Sequence, residues 1–121
     1  MKESNIIAKK SFEFAVRVVK LYKYLIETEK EYVLSKQVLR SGTSIGANVE
    51  EALGGRTRKD FINILAIAYK ECRETKYWLK LLKETDYLKD KLFNSIYEDC
   101  DELSKILSSI IMTSKNNDKQ E

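Results

Sequence analysis

The amino-acid sequence predicts an all-α protein, an antiparallel up-down-up-down four-helix bundle, on two observations. The 121 residues include no proline and only four glycines, so long helices can run uninterrupted and few tight turns are available to a strand-rich fold. Apolar residues also recur at helical spacings in long segments joined by short polar links. We expect residues 1–113 to form one bundle and residues 114–121, which have no apolar anchor, a disordered tail.

The first predicted helix covers residues 5–28, with Ser4 as its N-cap. It carries two adjacent apolar stripes at the spacing i, i+4, i+7, i+11. The stripes are Phe14, Val18, Leu21 and Leu25, and Ala15, Val19, Tyr22 and Ile26. This face is wider than one helix needs to enter a bundle, so the surplus apolar area predicts self-association.

The second predicted helix covers residues 35–53 and ends at Gly54 and Gly55, either of which can take the left-handed C′ conformation. Inside it, Gly42 and Gly46 lie one turn apart, where each glycine costs about 1 kcal/mol relative to alanine. Such a cost predicts that something approaches this backbone closely. A neighbouring helix is the expected neighbour, and a ligand is the alternative.

The third and fourth predicted helices cover residues 58–84 and 87–112, and Thr57 is the expected N-cap of the third, with Asp60 at the capping-box distance. Both carry apolar seams that step by four and three residues. The seams are Phe61, Leu65, Ala68, Cys72, Thr75, Leu79 and Leu82, and Ile96, Cys100, Leu103, Leu107 and Ile110. Because both cysteines of the chain lie on these seams, we expect buried, reduced thiols.

The absence of histidine removes much chemistry. Ser-His-Asp and Cys-His catalysis lose their base, and most zinc sites lose a ligand. Gly54 and Gly55 lack the spacing of a phosphate-binding loop. We therefore expect no catalytic residue, no metal and no cofactor. No apolar run approaches the roughly 18 residues of a membrane span, and residues 1–5 lack a signal-peptide layout, so a cytoplasmic location is expected.

Residues 35–52 form the most specific string in the chain, Ser-Lys-Gln-Val-Leu-Arg-Ser-Gly-Thr-Ser-Ile-Gly-Ala-Asn-Val-Glu-Glu-Ala. It resembles the four-helix-bundle proteins encoded in intervening sequences of bacterial 23S ribosomal RNA genes, whose pattern reads roughly S-x-Q-L-x-R-A-x-x-S-I-x-x-N-I-A-E-G. The matching residues are Ser35, Gln37, Arg40, Ser44, Ile45, Asn48 and Glu51, and the departures are Ser41, Glu50 and Ala52. In the third helix, Phe61, Glu71, Thr75, Trp78 and Leu79 also match.

The resemblance covers nearly all of residues 5–113. It implies a four-helix bundle that assembles into a homo-oligomeric ring, a pentamer, without catalytic residues. It also implies similarity to the accessory bundle protein of diversity-generating retroelements, which is pentameric and binds nucleic acid. The expected partners are therefore other copies of the chain, RNA or DNA, or another protein. The expected role is that of a scaffold or binding module.

Arg40, Asn48 and Glu51 lie on the second helix at spacings of eight and three, and Glu71 of the third helix is the expected partner of Arg40. A carboxylate flanked by apolar residues should be paired, because an unpaired buried charge is costly. We interpret the cluster as a hydrogen-bonded network that fixes helix register, with a ligand or nucleic-acid contact as the alternative. Its predicted members are Ser35, Gln37, Arg40, Ser44, Asn48, Glu51 and Glu71.

Basic residues predict a second candidate site. The third helix carries four of them at spacings of three and four, and the first helix adds two more; these are Arg73, Lys76, Lys80 and Lys83, and Arg17 and Lys20. Such a stripe can contact phosphates, and a ring would repeat it into a continuous basic surface. The alternative is a plain solvated face, since the net charge is only +3.

Overall fold

The computed structural model describes residues 2–120, which form helices α1 (Lys2–Glu27), α2 (Leu34–Leu53), α3 (Arg58–Glu84) and α4 (Asp90–Gln120). Each helix packs against the next in the chain, and α4 packs back against α1. Helices α1 and α3 therefore lie diagonally across the bundle, as do α2 and α4. The predicted all-α four-helix bundle is confirmed. Within the described part of the chain, no helix is long and apolar enough to cross a membrane.

Contacts between neighbouring helices run in opposite chain directions. Gly46 of α2 approaches Ser11 of α1, whereas Gly42, which comes earlier in α2, approaches the later Val18. Ion pairs give the same result for α1 with α4 and for α3 with α4. These are Lys10–Glu102 and Arg17–Asp99, and Lys76–Asp101 and Lys83–Asp90. With the short link between α2 and α3, this gives the up-down-up-down order.

The core contains the first apolar stripe of α1 and the predicted seams of α3 and α4. The second stripe of α1 stays at the surface, where Val19 is 36% exposed and its three companions are half-buried. At the start of α3, Ile62 takes the buried position and the predicted Phe61 is half-buried. Cys72 and Cys100 are free thiols with no exposed surface, as the seams predicted.

Glycines in α2 mark a close contact with α1, as predicted. A Cβ atom on Gly42 would lie 2.8 Å from both methyl carbons of Val18, and one on Gly46 would lie 3.2 Å from the carbonyl oxygen of Ser11. The expected left-handed glycine at the end of α2 is wrong, because Gly54 has φ −89° and no described glycine has a positive φ. The N–H of Gly54 instead closes a tight turn on the carbonyl of Glu51.

The starts of two helices differ from the prediction. Helix α1 begins at Lys2, so Ser4 lies inside the helix, where it is buried, and is not its N-cap. Helix α4 begins at Asp90 because Asp86 takes a left-handed conformation with φ 70° and the chain then turns over the buried Leu88. Thr57 is the N-cap of α3 as predicted, since its hydroxyl accepts from the N–H of Asp60 at 3.0 Å.

The C-terminal segment also differs from the prediction. Helix α4 continues to Gln120, through most of the expected disordered tail, and residue 121 lies outside the described residues. Ser114 extends the buried line of Leu107 and Ile110 by one more turn and is 8% exposed. Because no glycine or proline interrupts residues 114–120, the helix has no stop signal there.

Candidate functional site

Arg40 of α2 lies between two carboxylates of α3. One guanidinium nitrogen is 3.5 Å from Glu71, and the other pairs with Glu74. The indole N–H of Trp78 donates to Glu74 at 2.9 Å. The Glu71 side chain is only 19% exposed, against 51% for Arg40. The ion pair therefore gives a partner to a half-buried carboxylate between α2 and α3. The predicted Arg40–Glu71 pairing is therefore present, and Glu74 and Trp78 join it.

The other predicted members of the cluster divide into separate groups. Ser44 donates to the carbonyl of Arg40 at 2.7 Å, and Asn48 donates to the carbonyl of Ser44 at 2.8 Å. These bonds stay within α2 and do not reach α3. Gln37 is half-buried and Glu51 is exposed; among residues 2–120, neither side chain bonds to Arg40 or Glu71. The structure thus separates a two-helix charge cluster from a local ladder along α2.

Sequence reasoning missed a buried hydroxyl pair that also joins α2 to α3. Ser41 and Thr75 have no exposed surface, and their hydroxyl oxygens lie 3.0 Å apart. Thr75 also lies 2.7 Å from the carbonyl of Glu71, which accepts from it. The available signal was Ser41 itself, a departure from the family pattern on the buried side of α2, opposite a threonine on the α3 seam. The pair gives each buried hydroxyl a partner, which burial requires.

Ser35 belongs to a different arrangement at the start of α2. The carboxylate of Glu31, which is 8% exposed, accepts from the backbone N–H of Val33, Leu34 and Ser35 at 3.1, 2.9 and 2.6 Å. Burial raises the pKa of Glu31, and the hydrogen bonds that it accepts, chiefly from the backbone of Leu34, Ser35 and Val33, lower it, so that the net pKa lies below its ordinary value. The link between α1 and α2, predicted only as polar, therefore contains the cap of α2.

Half of the predicted basic stripe of α3 faces acidic residues of α4. The ammonium of Lys76 is 2.6 Å from Asp101 and 3.0 Å from Ser104, and its side chain is only 19% exposed. Lys83 lies 4.0 Å from Asp90 and over the ring of Phe93. The prediction that both lysines belong to an open basic face is therefore wrong, because their flank of α3 turns toward the acidic helix α4.

The basic residues of α1 behave similarly. Arg17 donates to Asp99 and to Ser95 of α4, both at 2.7 Å. Lys20 is exposed and makes no ion pair with another described residue. Arg17 therefore fastens α1 to α4, and only Lys20 of the two predicted residues is available for an external contact.

An open basic surface remains on the outer side of α3, and we call it the basic face. It consists of Lys59, Lys70, Arg73 and Lys80, all exposed, with Tyr77, which is 59% exposed. Lys80 lies at its α4 edge, where its ammonium is 5.7 Å from the centre of the Tyr97 ring. None of its cations forms an ion pair with another residue in the described range. Arg73 and Lys80 were predicted. Lys59 and Lys70 were missed because the sequence does not show which side of α3 points away from the other three helices.

The surface of α1 carries two apolar features on opposite flanks. The apolar ridge, on the α2 side, consists of Phe12, Val16 and Val19, which are 68%, 41% and 36% exposed. It borders a groove of about 200 Å³ between α1 and α2. On the α4 side lies a cleft of about 380 Å³, the apolar cleft, lined by Glu3, Ile6, Lys105, Ile106, Ser109 and Ile110.

Comparison with known proteins gives the same family that the motif in α2 resembles. The family described as 23S rRNA-intervening sequence protein matches residues 3–109. A crystal structure at 1.70 Å of a protein of unknown function from the S23 ribosomal protein family of Bacteroides thetaiotaomicron is 54% identical, with a TM-score of 0.90 over 91% of this chain and 98% of that one. No curated protein gives a significant match. The chain belongs to the 23S rRNA-intervening sequence protein family.

Proposed function

We propose that the chain is a non-enzymatic cytoplasmic scaffold that assembles with copies of itself into a pentameric ring and binds another macromolecule. The apolar ridge is the observation that carries this proposal. Three large apolar side chains lie next to one another along α1 in contact with solvent, and Phe12 is 68% exposed. A contiguous apolar line of this kind is typical of a protein–protein contact. The ring and its size follow the assembly that the family resemblance implies.

The mass of the native protein tests this assembly. Light scattering coupled to size exclusion should give about five times the 14.1 kDa of one chain. The mass should persist on dilution to low micromolar concentration, and high salt should not reduce it, because an apolar contact is not screened by ions. A monomer at every concentration tested contradicts the proposal.

Nucleic acid is the second candidate partner, and the basic face favours it. Its four cations have no acidic partner among the described residues, and Tyr77 offers an exposed ring on which a base can stack. Repeated around a ring, these cations form several phosphate-binding surfaces on one particle. An acidic protein is the alternative partner for the same charges, and it lacks the bases that Tyr77 can stack on.

A charge-reversal variant tests this second candidate. Changing Lys70, Arg73 and Lys80 to glutamate should abolish binding to a mixed-sequence RNA at low salt. A matched control changes three exposed lysines elsewhere, Lys89, Lys91 and Lys115, to glutamate and alters the net charge equally. Wild type should lose affinity steeply as salt rises. Equal losses in both variants would show that total charge, and not the basic face, governs binding.

A further inference from the structure

We propose that the copies join head to tail, with Phe12 of one copy inserted into the apolar cleft between α1 and α4 of the next. The inference rests on the self-assembly proposed above and names the two surfaces that meet. A head-to-tail contact uses two unlike surfaces of the same chain, whereas a two-fold contact uses one surface twice. The two apolar features on opposite flanks of α1 supply two such surfaces.

The apolar cleft has the size and lining to receive an aromatic side chain. It measures about 380 Å³, and Ile6, Ile106 and Ile110 form its walls. Ile6 is 38% exposed, so the cleft opens to solvent in a single copy. A phenyl ring placed there would be covered on several sides by aliphatic carbon, the setting in which an aromatic anchor contributes most to an interface.

The surroundings of Phe12 suit a close approach by a neighbouring helix. The groove beside it is lined by small side chains, among them Ala8, Ala15 and Ala47, which leave room for the partner's backbone. Glu50 also lines this groove and is exposed. At the rim of the apolar cleft, the Lys105 side chain is 78% exposed, although it also contacts Asp101 at 3.0 Å. The exposed Glu3 also lines the cleft, so its edge carries both signs, and Lys105 is the residue there that can pair with Glu50 of the next copy.

The directions of the two surfaces around the bundle fit a small closed ring of tilted bundles, because Phe12 lies about 9 Å further along α1 than Ile6 of the cleft. Helix α1 has α2 and α4 as neighbours, so the ridge side and the cleft side are adjacent faces of the bundle. A ring of four or five copies requires contact faces inclined by about 90° to 108°. In such a ring α1 lies nearest the axis, and its exposed Lys9, Glu13 and Lys20, between the two surfaces, face a solvated centre. The diagonal helix α3 lies outside, where its basic face is free.

Two single variants and their mixture test the head-to-tail contact by light scattering. Phe12→Asp removes the anchor, and Ser109→Trp fills the cleft; both positions are exposed, so the bundle should stay folded by circular dichroism. Each variant alone should have the mass of one chain. Their equimolar mixture should give a particle of about two chains, because one intact ridge meets one intact cleft and the remaining surfaces are blocked. Met112→Asp, at an exposed position on the α3 side of α4, is the control and should assemble like wild type.

Each result has a distinct meaning. An assembled Ser109→Trp with a monomeric Phe12→Asp would show that the ridge meets itself, which overturns the head-to-tail contact. An unchanged mass for Phe12→Asp would also overturn it and would leave the assembly itself intact. A monomeric wild type would contradict the assembly and hence the proposed function. Two monomeric variants that fail to pair when mixed would show that Phe12 and the cleft do not meet.

Discussion

At the scale of single residues, the start of α2 depends on one carboxylate. Val33, in the N-cap position, has an α-helical backbone and makes no side-chain cap bond. Glu31 instead accepts three N–H groups that the helix leaves without intrahelical partners. An anion at this end also interacts favourably with the helix dipole. This role could not be predicted from the sequence, because Glu31 lies in a polar link that also contains Glu27 and Glu29.

The first prediction is that Glu31→Gln destabilises the protein by about 1 kcal/mol at neutral pH, because an amide offers one acceptor oxygen and no charge to three donors. Urea unfolding measures the loss. Glu27→Gln, at an exposed position at the end of α1, removes the same charge without this contact and should change stability by less than about 0.5 kcal/mol. Equal losses in the two variants would contradict the capping role.

The stability difference between wild type and Glu31→Gln should also depend on pH, in a direction that the pKa of Glu31 determines. The pKa of Glu31 is lower in the folded protein than its ordinary value of 4.5. Its ionised form therefore contributes full stability above pH 4.5, and the contribution is lost as pH falls through the lower folded pKa. The difference in unfolding free energy between wild type and Glu31→Gln should shrink between neutral pH and about pH 3. A constant difference across this range would contradict the prediction.

The two cysteines give a second prediction at this scale. Hydrogen bonding with Cys100, together with burial, raises the pKa of the Cys72 thiol, and the Cys100 sulfur lies 3.5 Å from the carbonyl of Cys72. Both thiols are buried without exposed surface, so both should resist a disulfide reagent while the protein is folded, and the raised pKa of Cys72 further reduces its reactive thiolate form. Full reaction in denaturant is the control. Rapid reaction of either thiol without denaturant would show that the seam between α3 and α4 opens readily.

At the scale of the helices, local signals predicted some boundaries, and tertiary contacts decided the rest. The predicted bounds of α3 agree with the structure because Thr57 is a cap that acts within three residues. The start of α4 was missed because it depends on how Leu88 reaches the core. In the same way, Arg40–Glu71 could be predicted from a charge placed on an apolar face, whereas the direction of Lys76 depends on acids in α4 whose position the α3 sequence does not contain.

The contact of α1 with α2 gives a prediction for the glycines. Gly42→Ala should destabilise the bundle by about 1–3 kcal/mol, because the new methyl meets both methyl groups of Val18, a fully buried β-branched residue with little freedom to move. This cost outweighs the roughly 1 kcal/mol by which alanine favours a helix. Thermal or urea unfolding measures it. Gly54→Ala, whose Cβ would lie 3.6 Å from its nearest neighbour, is the control and should be nearly neutral.

At the scale of the whole molecule, the helices differ in how much of their charge is paired with a neighbouring helix. The acids of α4 pair with Lys10 and Arg17 of α1 and with Lys76 of α3. These cations therefore join helices to one another and contribute little to the electrostatic potential at the surface. The basic face of α3 keeps its charge. In the proposed ring, α1 forms the centre and α3 the periphery, so assembly and binding use different helices. This separation allows one activity to be removed while the other remains.

The last prediction follows from that separation. Phe12→Asp should become monomeric and retain a basic face on each copy, so it should bind a long RNA about 10²–10⁴-fold more weakly than the ring, which engages several faces at once. Its affinity should also depend less steeply on salt, because one copy displaces fewer counterions. Met112→Asp, which carries the same charge change in an intact ring, should bind like wild type. On an RNA too short to reach two faces, the monomer and the ring should bind with similar affinity per chain, and a large difference there would place Phe12 in the RNA contact itself.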